Sequence, residues 1–219
     1  MSARARIGTI AAVATSDQEL LQAWRDGDRQ AGSELITRYF RPLYRFFASK
    51  VAAPSEVEDL VQRTFAGAVE GLDRFRGQAS ARTWLFAIAR NILKQWYERR
   101  ARARTREGST PERSIADLGA GPNTILELRH EQRLLVAALQ RLPLDAQVLL
   151  ELTYWERLKA RELAEVFGVP EGTIRTRLRK AKLDLRGTLD ELARTAEELE
   201  ATMKGLETWA GELRNAWQR

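Results

Sequence analysis

Residues 56–100 read EVEDLVQRTFAGAVEGLDRFRGQASARTWLFAIARNILKQWYERR, and the fold is decided in this stretch. Val57, Leu60, Val61, Phe65, Ala68, Val69 and Leu72 recur at helical spacing and predict one buried face. A short polar turn follows from Phe75 to Thr83, and a second helix starts near Thr83. That helix carries Leu85, Ile88, Ala89, Ile92 and Trp96 on one side. Its other side holds Arg90, Asn91, Lys94 and Gln95, and it runs into Arg99, Arg100, Arg102, Arg104 and Arg106. A polar loop, Trp84 beside it and a basic helix behind it suit an unstacked nucleic-acid strand. Aromatic and loop groups take bases, and cations follow the phosphates. The plainer reading makes Phe65, Trp84 and Trp96 core residues and the arginines a solvated face.

The bulk composition agrees with a nucleic-acid partner. The chain has 219 residues, enough for two small domains and a linker, and 44% of them are hydrophobic. The net charge of +6 favours an anionic partner. There is no cysteine, so disulfides, thiol nucleophiles and cysteine-ligated zinc are excluded. His130 is the single histidine and reads as a surface residue; no metal or cofactor site is expected. No apolar run reaches the roughly 20 residues that span a bilayer, and Ile7–Ala14 lacks the form of a secretory signal. A cytoplasmic protein without membrane contact is the expectation.

Taken in order, residues 1–16 form an arm with Arg4 and Arg6. Ser16 or Asp17 caps a first helix that holds Leu20, Leu21, Ala23 and Trp24, with Glu19 in its first turn. Asp26-Gly27-Asp28 breaks it. A second helix, about 29–51, carries Leu35, Ile36, Tyr39, Phe40, Leu43, Tyr44 and Phe47 on a wide apolar stripe, with Pro42 as a kink or a break. Residues 17–100 thus make one helical domain. Residues 101–123 turn from arginine-rich to Gly/Ser/Thr/Pro-rich and read as a flexible linker.

A second domain spans 124–188. Ile125, Leu128, Leu134, Leu135, Ala138 and Leu139 mark one helix, ended at Leu142-Pro143, and Val148, Leu149, Leu152 and Trp155 mark the next. A helix at 159–167, a turn at Gly168-Val169-Pro170 and a helix at 171–186 then form a helix-turn-helix. Ile174, Leu178, Ala181 and Leu185 face inward. Thr173, Arg175, Thr176, Arg177, Arg179 and Lys180 face outward, with the chemistry to reach phosphates and guanine edges. Gly172 allows close backbone approach at the helix start.

Several motifs, in order, resemble the conserved parts of bacterial RNA polymerase sigma factors of the extracytoplasmic-function (ECF, group IV) type. They are Asp59–Phe65, Phe75-Arg76-Gly77, Thr83–Asn91 and Glu171–Leu178. The resemblance covers about residues 17–188. It implies an all-α protein of two small domains, a linker and an added C-terminal amphipathic helix. It also implies contact with core RNA polymerase through Asp59, Gln62 and Phe65. The promoter −10 element would be read and melted by Gly77, Gln78, Ala79, Ser80, Arg82 and Asn91, with Trp84, Arg90 and Lys94 beside them. The −35 element would be read by Glu171, Gly172, Thr173, Arg175, Thr176, Arg177, Arg179 and Lys180. Two departures stand out. Ala81 occupies a position that is often aromatic in the family, which leaves base preference open, and Pro170 replaces a small polar cap.

The tail, 189–219, is not explained by the common pattern. Leu189, Leu192, Ala196, Leu199, Met203, Leu206, Ala210, Leu213 and Trp217 step by three and four, the seam of a helix that packs along another. Gly205 and Gly211 weaken such a helix, so it needs a partner surface. A regulatory extension that folds back on the chain's own domains and tunes DNA or polymerase access is the expectation for it, with a dimer seam, an anti-sigma dock and plain completion of the second core as rivals. A helix-turn-helix repressor or activator that dimerises through the tail is the alternative function. An enzyme is not expected: Glu56, Glu58 and Asp59 spread around a helix and lack a positioned base.

Overall fold

The structure is a computed structural model. It describes residues 15–75, 77, 79–106 and 130–193, with positions 195, 197, 200, 202, 203 and 205 beyond them. Gln78, the linker after Arg106, Ile125, Leu128 and the seam positions Ala196, Leu199, Leu206, Ala210, Leu213 and Trp217 lie outside the described residues.

The first domain opens with α1 (Asp17–Arg25). Ser16 and Glu19 cap it reciprocally: the Ser16 hydroxyl accepts from the Glu19 N–H (3.3 Å), and the Glu19 carboxylate accepts from the Ser16 N–H (2.8 Å). Gly27, at φ 103°, turns the chain, and the Asp28 carboxylate accepts from the N–H groups of Gln30 and Ala31 to start α2 (Arg29–Ala48). Pro42 sits inside α2, which continues past it. Pro54 begins α3 (Pro54–Gly71), where its missing N–H costs nothing, and a 3-10 turn (Leu72–Arg74) follows. The Ser80 hydroxyl accepts from the Thr83 N–H (3.1 Å) at the head of α4 (Ala81–Arg106), which starts earlier than Thr83 and runs beyond Arg100 into the stretch read as linker.

The second domain consists of α5 (His130–Gln140), α6 (Leu144–Tyr154), α7 (Ala160–Phe167) and α8 (Glu171–Leu192). Gly168 caps α7 in the left-handed conformation, φ 63°, so the predicted helix-turn-helix is present with its glycine at the turn. Helix α8 extends through the expected boundary at 188. Leu189 is fully buried, and Leu192 and Met203 pack on the same cluster as Leu135, Leu139, Leu150 and Leu185. The described part of the tail therefore completes the second domain's core, and the helix breaks at Ala193, where the backbone turns extended.

The two domains do not hang apart. One apolar cluster runs through both, joining Leu43, Phe47, Leu60, Leu85 and Phe86 to Leu149, Leu152, Leu163, Phe167 and Ile174. Helix α4 lies between them, against α3 on one side and α7 on the other. The reason is in α4 itself: besides Leu85, Ala89, Ile92 and Trp96 it buries Phe86 and Leu93, so it is apolar on two sides and is covered on both. Each such fully buried Leu or Phe contributes roughly 1.5–3 kcal/mol. Two residues of the expected core are instead exposed, Phe40 (44%) and Val69 (56%), because they sit at the solvent edge of their stripes. Ile36, Tyr44, Phe65 and Ile88 are half-buried.

Candidate nucleic-acid interface

Three surfaces were expected, and the structure treats them differently. On α3, Asp59 and Gln62 are exposed one turn apart, with Asp59 near Arg63 at 3.8 Å. Val69 continues this open strip. Phe65 is half-buried and packs on the core, so it offers only an edge.

The turn before α4 presents Gly77, in the left-handed region at φ 71°, and Ser80, both exposed, with Ala79 half-buried. Ala81 is buried in the core. The position that departs from the family pattern thus faces inward here. Trp84 is half-buried; its ring lies 4.8 Å from that of Phe75 and 3.3 Å from where a Cβ on Gly71 would stand. Asn91 and Lys94 are exposed on α4.

Arg82 and Arg90 are not free. Arg82 Nη2 donates to Glu156 Oε2 at 2.6 Å, and Arg90 Nη2 donates to Asp145 Oδ1 at 2.7 Å. The Arg90 guanidinium also lies 4.3 Å from the centre of the Phe167 ring. Its Nε is buried and meets no acceptor among the described residues. Two more first-domain cations join this set without having been singled out from the sequence. Arg45 donates to Glu156 Oε1 at 3.4 Å. Lys50, 1% exposed, donates to Glu151, to Ser49 Oγ (2.8 Å) and to the Phe46 carbonyl, and its ammonium lies 4.1 Å from the Phe46 ring centre. Burial pushes the Lys50 ammonium below its ordinary range, and the Glu151 charge opposes that. The signal was present as a charge inside an apolar run: Glu151 follows Val148-Leu149-Leu150, and Lys50 follows Phe46-Phe47.

The outward side of α8 is open. Gly172, Arg175, Thr176, Arg177, Arg179 and Lys180 are exposed, and Thr173 and Glu171 are half-buried. A Cβ on Gly172 would meet nothing, so backbone approach there is unobstructed. Some of these side chains are held along the helix. Arg175 donates to Glu171 at 2.6 Å, Lys180 to Asp184 at 2.9 Å, and the Thr176 hydroxyl to the Gly172 carbonyl at 3.1 Å. Ile174, Ala181, Leu185 and Leu189 anchor the opposite side.

A helix-turn-helix with an open basic face, joined to a helical domain with a polar turn and a basic helix, defines a two-part DNA-binding protein. Residues 35–103 match Sigma-70 region 2, and residues 132–185 match Sigma-70, region 4. The RNA polymerase sigma-H factor of Pseudomonas aeruginosa is 28% identical over 82% of this chain and 97% of its own length. The ECF RNA polymerase sigma-E factor of Haemophilus influenzae is 27% identical over 76% and 92%. Among solved structures, CnrH in complex with the cytosolic domain of CnrY superposes with a TM-score of 0.60 at 24% identity, over 81% of this chain and 99% of that one. The sigma factor RpoE from Bartonella quintana, in complex with the anti-sigma factor NepR, gives 0.59 at 23%, over 72% and 96%. The chain belongs to the extracytoplasmic-function sigma factors of the sigma-70 family. It is a transcription initiation factor that binds core RNA polymerase and promoter DNA. The repressor reading gives no account of the match over residues 35–103.

Proposed function

We propose how the work of initiation is divided over this chain. The exposed strip on α3 around Asp59 and Gln62, with the edge of Phe65, docks core polymerase. The turn and α4, through Gly77, Gln78, Ala79, Ser80, Trp84, Asn91 and Lys94 and the guanidinium groups of Arg82 and Arg90, take the −10 element and hold its opened strand. Helix α8 reads the −35 element through Glu171, Gly172, Thr173, Arg175, Thr176, Arg177, Arg179 and Lys180. The observation that carries this division is the open, cation-rich outer side of α8, backed by Ile174, Ala181 and Leu185, in one chain with the exposed polar turn at Gly77. The chain makes and breaks no bond; it redirects polymerase by differential binding, and it acts in the cytoplasm. The complex of RpoE with NepR supports a protein of the anti-sigma class as a further partner.

Run-off transcription from a promoter library with purified core polymerase tests the division. Promoter-specific transcripts that require the chain are expected. Asp59→Ala with Gln62→Ala weakens polymerase capture, and Arg177→Ala changes which −35 sequences are used. Tight duplex binding by the chain alone, with no promoter transcribed, would overturn it.

A further inference from the structure

Helix α1 precedes residues 35–103, the stretch that matches Sigma-70 region 2, yet it meets the polar turn before α4 at two points. Arg25 Nη1, at the end of α1, donates to the Phe75 carbonyl at 3.2 Å. Gln18 Nε2, in the first turn of α1, lies 3.7 Å from where a Cβ on Gly77 would stand. Apart from the neighbours of Gly77 in the chain, no other atom of the described residues comes within 4 Å of that point. Gln18 is exposed, and its amide has no hydrogen-bond partner among the described residues. Its backbone, by contrast, is fixed. Ser16 and Glu19 cap the helix, Asp17 is held by Arg38 (2.9 Å) and by the Tyr39 hydroxyl, and Leu20 and Leu21 are buried. An exposed amide without a partner adds little to stability. It is also uncharged, so it does little to draw phosphates. What it offers is a donor and an acceptor side by side, which complement the N6 and N7 atoms of adenine. Gly77 has no Cβ and stands at φ 71°, so a base can come against the backbone there, with the Gln18 amide beside it.

We infer that α1 contributes a base reader to the −10 site: the Gln18 amide takes the edge of an adenine presented at Gly77. Arg25 is a positioning residue for the same site, because it holds the turn through the Phe75 carbonyl and touches no base. Gln18 therefore sets which base is accepted, and Arg25 sets how well any base is received. The inference rests on the proposed assignment of the turn to the −10 element.

The test is transcription by the full chain with purified core polymerase from a promoter library randomised through the −10 region, with the transcripts sequenced. Gln18→Ala is expected to lower the preference for adenine at one position about tenfold and to leave the other positions as they were. Gln18→Arg is expected to move the preference at that same position to guanine, whose O6 and N7 accept from a guanidinium. Arg25→Ala lowers the yield from all −10 sequences alike and keeps their ranking, as befits a residue that acts through the turn. The unfolding midpoint of Gln18→Ala stays at the parent value, since the side chain is exposed. Unchanged base preferences in both Gln18 variants overturn the reader. So does a loss spread evenly over all −10 sequences, which is what a structural role would give. Relaxation at a position that selects another base overturns the match to adenine, and relaxation of a single position by Arg25→Ala overturns its positioning role. Ser80→Ala in the turn separates this inference from the assignment beneath it. If Ser80→Ala shifts the −10 preference and the Gln18 variants do not, the inference fails and the assignment stands. If none of them shifts it, the assignment fails too.

Discussion

The ammonium of Lys50, at the end of α2, is buried in the first domain and meets the carboxylate of Glu151 from α6 of the second, across a sequence separation of 101. Glu151 is only 8% exposed, and its other oxygen accepts from Gln147 Nε2 at 2.9 Å. The pair therefore exists only while the domains are docked. Removing one member leaves a buried charge with no partner, a loss on the order of 3–5 kcal/mol, whereas replacing both by apolar groups is often neutral or better. Lys50→Met and Glu151→Leu should each lower stability or part the domains, and the double variant should recover most of the loss. A double-mutant cycle by chemical denaturation measures this; additive losses would show that the two residues are not coupled.

Helices α1 and α2 meet at Gly32. A Cβ there would lie 2.6 Å from Trp24 Nε1 and 2.8 Å from Trp24 Cε2. The indole is half-buried and cannot swing clear without leaving the core it packs on. Gly32→Ala gains roughly 1 kcal/mol of helix propensity but must displace the ring, and overpacking of this kind typically costs about 1–3 kcal/mol. A net loss on the order of 1 kcal/mol is expected from thermal or urea unfolding, with Trp24 fluorescence altered. An unchanged or raised midpoint would mean that α1 shifts freely on α2.

Arg157 is the one non-glycine among the described residues with positive φ. A left-handed backbone costs a residue with a Cβ about 1–2 kcal/mol, and glycine avoids that term. Arg157→Gly should therefore raise stability by up to about 1 kcal/mol, the gain being reduced by the freer unfolded chain. Unfolding by urea measures it. A lower midpoint would mean that the Arg157 side chain holds the α6–α7 connection.

These features divide cleanly by how far apart in the chain their causes lie. The Ser16–Glu19 cap, the Asp28 cap and the Gly168 turn are local, and each is readable from a few neighbouring residues. The contact between the domains is not. Arg82 and Arg90 look like solvated charges on their own helix, and Glu156 like one in a connection, and only the docking of α4 on α7 brings them together. The tail shows the same limit from the other side. Leu189 and Leu192 were legible as a seam, but periodicity does not say which surface a seam meets; here it is the second domain's own core. Of the expected −10 residues, Gly77, Ser80, Asn91 and Lys94 lie open, while Arg82 and Arg90 are taken up by the second domain.

Alkaline pH should unfold the first domain with a defined sign. Burial raises the Tyr39 phenol above its ordinary value of 10.0, and its hydrogen bond to Asp17 adds to the shift. Burial raises Tyr97 in the same way, with the Glu151 charge adding and Arg100 opposing; its hydroxyl donates to the Lys50 carbonyl at 2.8 Å. The folded state holds both protons more tightly than the unfolded chain. Their contribution is complete below pH 10 and is lost as pH climbs from 10 through the raised values. Ultraviolet titration of phenolate should show these two tyrosines ionising late and together with loss of helical circular dichroism. Ionisation of both near pH 10 in the folded protein would refute their burial.

Arg177 lies on the open side of α8, exposed, four residues before the buried Ala181 and three after the buried Ile174. Such a side chain adds little to stability, so Arg177→Ala should leave the unfolding midpoint within about 0.5 kcal/mol. In a major groove, however, an arginine that reaches a guanine edge contributes about 1–3 kcal/mol of discrimination, and one that reaches only a phosphate weakens all sites alike. The two cases separate in a promoter library. A base contact predicts roughly tenfold or greater loss on promoters of one −35 class, with that position relaxed in the selected sequences. A phosphate contact predicts a uniform loss and a salt slope reduced by about one. Arg179, exposed further along the same helix, provides the comparison in the same assay. Full transcription from every promoter with both arginines replaced would remove this face of α8 from −35 recognition.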